Sequence, residues 1–270
     1  MRELLIRTAS GAVLVAVIIG CILFSPWTCA ALGLFIVVVG TYEMGRLQQI
    51  EKGSHFIVGE LLSVGAFLIA ALSGLYMLPK QYLILELVCC MMPFLLALFS
   101  KSDDFKHLAA FTFGSMAYLS LPSALMVFMY RPDFFGGLAG PRLVILIFAL
   151  LWTNDTFAYL TGRLLGKHKL FVSISPGKTI EGSLGGLLFT LAGVVLFSHY
   201  SPWLPVTEAV GMGLIAVVFG TLGDLCESML KRQAGVKDSG RLIPGHGGIL
   251  DRFDSVMFAI PFVFVFLLLL

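Results

Sequence analysis

The chain has 270 residues, of which 58% are apolar and 13% charged, and its net charge is +2. Soluble domains run nearer roughly 45–50% apolar and 25% charged, so a water-soluble core is excluded and an integral membrane protein is expected. The charge balance is mild and no basic tract stands out, which excludes nucleic acid as a partner.

Hydropathy places nine candidate spans at 7–25, 27–45, 57–77, 82–99, 108–129, 143–162, 183–199, 207–230 and 250–270. Most are long enough for a hydrocarbon core about 30 Å thick. The expected fold class is all-α: a polytopic integral membrane protein with about nine transmembrane helices. Residues 1–140 are read as scaffold, with contacts to lipid or to another copy. Residues 141–270 are read as the functional region, because the long polar loops at 163–182 and 231–249, expected to be cytoplasmic, both fall within it.

The first run, preceded by Arg2, Glu3 and Arg7, could pass for a signal peptide. No small-x-small cleavage site follows and the next span starts at once, so a first membrane helix is expected. Short turns fall at Ser25-Pro26-Trp27 and Leu78-Pro79-Lys80, and Arg131-Pro132-Asp133 opens the longest outer loop. Trp27, Tyr76, Tyr82, Tyr130 and Trp203 sit near predicted interfaces, where amphipathic rings settle. Glu43, at the inner end of span two, is read as an acid snorkelling to water, with a turn toward the site as the alternative. Cys21, Cys29, Cys89, Cys90 and Cys226 show no C-x-x-C spacing and are read as small membrane-interior residues, with Cys226 noted for lying two residues past Asp224.

Of the 18 Lys and Arg, only Lys80, Arg131 and Arg142 fall on outer loops if the N-terminus is cytoplasmic. That bias fits the positive-inside rule and puts the later polar loops on the cytoplasmic side.

Span six is interrupted by Asn154, Asp155 and Tyr159. Asp155 and Tyr159 share a helix face, and an acid at membrane depth is a functional candidate before it is a helix–helix hydrogen bond. The following loop carries Lys178, Thr179 and Glu181 ahead of a helix start, a setting that favours anions. It lacks Walker A spacing and is read as a strand-free phosphate-binding loop. His55, His107, His168 and His199 are read as loop or interface residues.

The densest polar block is 228–255. Asp224, Ser228 and Lys231 share one face at the end of an apolar helix, and Asp251 and Asp254 share a face at the start of the next. Between them lie Arg232, Lys237, Asp238, Arg241 and five glycines, with Arg252 just beyond. An unpartnered acid in a bilayer costs roughly 2.5–3.5 kcal/mol on a contested scale. Cations, carboxylates and bare amides together suit a phosphate-and-metal site. The plainer reading is a basic cytoplasmic loop in which Asp pairs with Arg or Lys.

The run S-x-x-K-R-x4-K-D-x-G-x-x-x-P-G-H-G-G-x-x-D-R-x-D-S begins at Ser228 and includes Gly240, Pro244, Gly245, His246, Gly247, Gly248 and Ser255. It resembles the signature of phosphatidate cytidylyltransferases, also called CDP-diacylglycerol synthases. N-D-x-x-A-Y at 154–159 and S-P-x-K-T-x-E-G at 175–182 are similar to segments of the same family. The resemblance implies transfer of CMP from CTP to phosphatidic acid, with pyrophosphate released, in phospholipid biosynthesis at a bacterial inner membrane. It implies Mg²⁺, with a second, monovalent cation left open. On this reading Asp224 and Asp251 hold the metal, and Lys237, Asp238, His246 and Arg252 complete the catalytic set. Asn154, Asp155, Lys178, Thr179, Glu181, Ser228, Lys231, Arg232, Gly247, Gly248 and Asp254 are expected to bind substrate, Asp155 as a third ligand or an acceptor behind the metal. The loop amides at His246 are expected to approach the triphosphate. Partners are CTP, phosphatidic acid and membrane lipids, with a homodimer left open. A transporter using Asn154 and Asp155, a CTP-dependent lipid-alcohol kinase and an inert scaffold are the competing readings.

Overall fold

Ser25 and Pro26 make the first break in the chain. Helix α1 (Arg2–Phe24) ends there and α2 (Pro26–Leu47) begins in a capping box, with Thr28 N donating to Ser25 Oγ and Ser25 N donating to Thr28 Oγ1, both at 3.1 Å. Proline at the first helical position loses no hydrogen bond. A computed structural model describes residues 2–50, 53–100 and 105–270, and of 2–6, 96–97, 99–100 and 105–107 the backbone alone. Lys52 and Lys101, used above to orient the chain, lie outside the described residues, as do the side chains of Arg2, Lys106 and His107.

The chain forms two compact units. The first is Met1–Tyr130 with Ala234–Phe253, and the second is Arg131–Gln233 with Asp254–Leu270.

In the first unit, α3 (Ser54–Gly74) is followed by a 3₁₀ turn, Lys80–Ile84, and by α4 (Leu85–Ser100), α5 (Phe105–Ser115) and α6 (Leu121–Phe128). Met116–Ser120, between α5 and α6, is a π-helical turn. Pro122 follows it, and a proline without an N–H, whose ring crowds the carbonyl four residues back, accounts for the wider turn. Phe67, Phe111, Ile36, Leu119 and Met126 form the core. Gly59 lies under the Phe111 ring, where any side chain would overlap it. Ser120 Oγ, buried in the core, donates to Ser63 O at 2.8 Å.

The second unit contains a short helix, α7 (Pro132–Phe135), then α8 (Pro141–Leu165). Strands β1 (Lys169–Phe171) and β2 (Ser175–Thr179) form an antiparallel hairpin pairing Lys169 with Thr179 and Phe171 with Ser175. Helices α9 (Ile180–His199) and α10 (Val206–Gln233) follow, and of α11 (Leu250–Leu268) the part from Asp254 onward belongs to this unit. Small residues bring α8 and α9 together: Gly185 faces Thr161, and Gly186 faces Asn154 and Ala158. Phe219 and Phe262 stack at 3.5 Å to join α10 to α11.

The expectation of a strand-free loop before α9 is therefore corrected. The hairpin closes because its base is tied: Ile180 N donates to His168 O at 2.9 Å, and the Glu181 carboxylate accepts from Lys167 N at 3.0 Å and from His168 N at 3.1 Å.

The protein is an all-α polytopic membrane protein apart from this hairpin. Among the described residues, seven helical stretches are long and apolar enough to cross a bilayer: α1, α2, α3, the α5–α6 run, α8, α9 and α10. The expected spans at 82–99 and 250–270 fall short of that standard. Helix α4 has only 16 residues and contains Pro93, and α11 carries Asp251, Arg252 and Asp254 in its opening turns.

Candidate active site

A cavity of about 440 Å³ in the second unit collects much of the polar chemistry of that half. Helix α8 supplies Asn154, Asp155, Tyr159 and Arg163, strand β2 ends in Lys178 and Thr179, and α10 supplies Asp224. Positions 155, 159 and 163 recur every fourth residue, so one face of α8 turns its polar side chains to the same space. Lys178 Nζ lies 2.5 Å from Asp224 Oδ2. Ser228 Oγ donates to Asp224 Oδ1 at 3.2 Å, one helical turn along. Asp254 interacts electrostatically with Asp224, Asp155 and Lys231, and its Oδ1 accepts from Ser255 N at 2.7 Å. Asn154 is only 4% exposed, its Nδ2 is 3.5 Å from Asp155 Oδ1, and its own Oδ1 has no hydrogen-bond partner. A buried acceptor left so costs about 1–3 kcal/mol, and a donor on a ligand would relieve it.

Asp224, Asp155 and Asp254 are the carboxylates of this unit that could hold a cation, Asp254 acting on each of the other two; a Mg²⁺ ion would take one or two carboxylates and fill its shell with phosphate and water. Among the described residues, no three His, Cys, Asp or Glu close around one point as a ready-made metal cage.

Several residues expected to bind substrate are also bonded within the protein. Thr179 Oγ1 caps α9 by accepting from Gly182 N at 3.1 Å. Glu181 ties the hairpin base and takes His168 Nδ1 at 2.6 Å. Lys231 pairs with Glu227, 1% exposed and one turn earlier, and Arg232 Nε donates to Ile174 O at the hairpin tip, 3.3 Å away. Arg163 was missed as a lining residue, although its spacing from Asp155 and Tyr159 could have found it. Its Nη1 is 3.4 Å from the Tyr159 hydroxyl.

The signature loop belongs to the first unit. Ile243-Pro244-Gly245-His246 is a tight turn closed by His246 N donating to Ile243 O at 2.9 Å. Proline second and a glycine at φ +75° third are what a type II turn demands. Ile243 N then donates to Gly247 O at 3.0 Å. Asp251 Oδ2 accepts from Gly248 N at 2.7 Å and Ser239 N at 2.9 Å, and Ser239 Oγ lies 3.0 Å from it. The amides of His246 and Gly248 thus donate within the loop. Asp224 and Asp251 belong to different units, and each is placed here within its own.

Glu43 is the largest departure from expectation. It does not snorkel: it is 2% exposed. Its carboxylate accepts from Ser239 Oγ at 2.8 Å, Leu250 N at 2.9 Å and Ile249 N at 3.0 Å. A side chain at Gly240 or Gly248 would overlap the Glu43 carboxylate. These two glycines make room for an acid from α2.

The model of the cytidylyltransferase family matches residues 5–270. Phosphatidate cytidylyltransferases of Staphylococcus aureus (strain COL) and Staphylococcus haemolyticus (strain JCSC1435) are each 44% identical over 161 residues. That of Staphylococcus epidermidis (strain ATCC 12228 / FDA PCI 1200) is 44% identical over 165 residues. In each case the match covers 59% of this chain and 59% of the relative, so the chain spans 59% of the length of the curated relatives it matches. With nearly every residue inside the family's bounds and the signature loop and its supports in place, the chain belongs to the cytidylyltransferase family.

Proposed function

We propose that the protein is a phosphatidate cytidylyltransferase, transferring CMP from CTP to phosphatidic acid to give CDP-diacylglycerol and pyrophosphate. The observation that carries this reading is the meeting of Lys178, Asp224, Asp155 and Arg163 around one cavity of a membrane protein in this family. An oxygen of the lipid phosphate attacks the α-phosphorus of CTP. The bond from that phosphorus to the β-phosphate bridging oxygen breaks, and pyrophosphate leaves with the electron pair. The attacking oxygen is already anionic, so the chemistry needs no strong base. It needs charge neutralisation and alignment of two anions.

Lys178 and Arg163 would hold phosphate oxygens, and Ser228 would keep Asp224 in its orientation. Asp224 is the first choice as metal ligand, with Asp155 and Asp254 as the other carboxylates of its unit. Asp251, proposed as a ligand from the sequence, also organises the signature loop through its hydrogen bonds from Ser239 N and Gly248 N. Mg²⁺, when bound, would offset triphosphate charge and stabilise the departing pyrophosphate. The bacterial relatives and the bias of Lys and Arg support a bacterial plasma membrane, with the N-terminus and the site on the cytoplasmic side.

The test is pyrophosphate release from CTP by purified protein with phosphatidic acid in mixed micelles. Cytidine should be recovered on the lipid, chelator should stop turnover, and added Mg²⁺ should restore it. Asp224→Asn should reduce turnover about 100-fold or more while the protein elutes normally on gel filtration, a loss of the size seen when one electrostatic group is removed from an active site. A phosphorylated lipid without cytidine would overturn the reading in favour of a kinase.

A further inference from the structure

A second cavity, about 620 Å³, opens on the signature loop of the first unit. Arg7, Lys237, Arg241 and Arg252 line it, with His246 and a single carboxylate, Asp238. Three of those cations come from the loop and its edge. Arg7 comes from α1 and lies outside every motif read from the sequence.

Its placement is built. Arg7 Nε donates to Gly245 O at 2.9 Å. One turn along, Ser10 Oγ donates to Pro244 O at 2.9 Å and lies 3.0 Å from His246 Nδ1. Gly11 leaves space for the His246 ring, whose nearest atoms would sit 3.2 Å from a Cβ there. A Cβ on Gly245 would come 2.5 Å from Arg7 Cγ, so the turn glycine also keeps a place for the arginine stem. The first helix is thus fitted to the loop along residues 7, 10 and 11.

Four cations lining one cavity beside one carboxylate repel one another, and an anion offsets that repulsion. Its chemistry is that of a phosphate, which arginine can grip with two parallel hydrogen bonds. Further along α1, Val13 and Val17 are 63% and 50% exposed. The helix that brings Arg7 to the cavity therefore offers an apolar flank suited to acyl chains, which a free nucleotide would not use.

We propose that Arg7 completes a cavity for the phosphomonoester head of phosphatidic acid, whose acyl chains lie along α1. This rests on the reading of the protein as a phosphatidate cytidylyltransferase and assigns its lipid subsite. Arg7 is a substrate-binding residue on this account.

The test uses full-length protein, wild type, Arg7→Ala and Arg7→Lys, in detergent. At saturating CTP, Arg7→Ala should raise the KM for phosphatidic acid at least tenfold, leave the KM for CTP within twofold, and keep the unfolding midpoint. Arg7→Lys should recover part of the loss, since it keeps the charge and loses the fork. An unchanged KM for phosphatidic acid overturns the proposal, and so does a rise confined to CTP. A loss that tracks a lowered unfolding midpoint, without rescue by lysine, also overturns it and leaves Arg7 as a packing residue. Binding is read separately, as retention of radiolabelled phosphatidic acid on immobilised protein without CTP. Retention should depend on Arg7 and resist phosphatidylcholine. Equal competition by inorganic phosphate would assign the cavity to the free ion and overturn the lipid assignment. If wild-type protein shows Arg7-dependent retention but no turnover, the reaction assigned above fails while the lipid cavity stands.

Discussion

Glu43 sits in an apolar helix, and its position along the sequence gives no hint of its task. Its donors lie 196 to 207 residues away, a separation that no periodicity can reveal. Short-range geometry was readable: Asp224 and Ser228 are a turn apart and are bonded. The same rule pairs Glu227 with Lys231, a cation otherwise read as a phosphate clamp. Charge type alone cannot separate a cation that meets substrate from one that steadies a fold. Glu43→Gln keeps the shape but turns an amide N–H₂ toward donors. Hydrogen bonds to a charged group contribute about 1.5–3 kcal/mol, so this variant should lose about 2 kcal/mol in unfolding measured in detergent, with reduced turnover. An unchanged midpoint would remove Glu43 as the anchor of the loop.

At the scale of elements, length and hydropathy located the long helices because each must be apolar over about 20 residues. The hairpin escaped because β1 has three residues and β2 five, too few for an alternating pattern to show. Fold and site meet where α8 packs on α9. A Cβ on Gly186 would come 2.5 Å from Asn154 Oδ1 and 2.9 Å from the Asn154 carbonyl oxygen. Gly193, on the same helix, has no heavy atom within 4 Å of such a Cβ. Gly186→Leu should therefore cost 3 kcal/mol or more, beyond the usual range of about 1–3 for overpacking, whereas Gly193→Leu should be close to neutral. Fluorescence-detected gel filtration after a heat step would separate the two. Equal survival would mean that the helices do not depend on this close approach.

For the whole molecule, composition settled the membrane class and the resemblance settled the family. The division into units was not legible, because the loop at 234–253 joins the first 130 residues and not its neighbours in sequence. Orientation is directly testable. In a background with the five cysteines replaced, Lys80→Cys should react with a membrane-impermeant maleimide on intact spheroplasts, and Lys237→Cys only after permeabilisation. The reverse pattern would invert the assigned topology.

The tie between Glu43 and the loop also sets an order of events at the ribosome. At about 5–20 residues per second, Ser239 is made on the order of 10–40 s after Glu43. For that interval the newborn carboxylate lacks the three donors that hold it in the folded protein. A nascent chain cut short before residue 239 has all of α2 and none of these donors, which makes the late-made loop the closing stitch of the half that was made first.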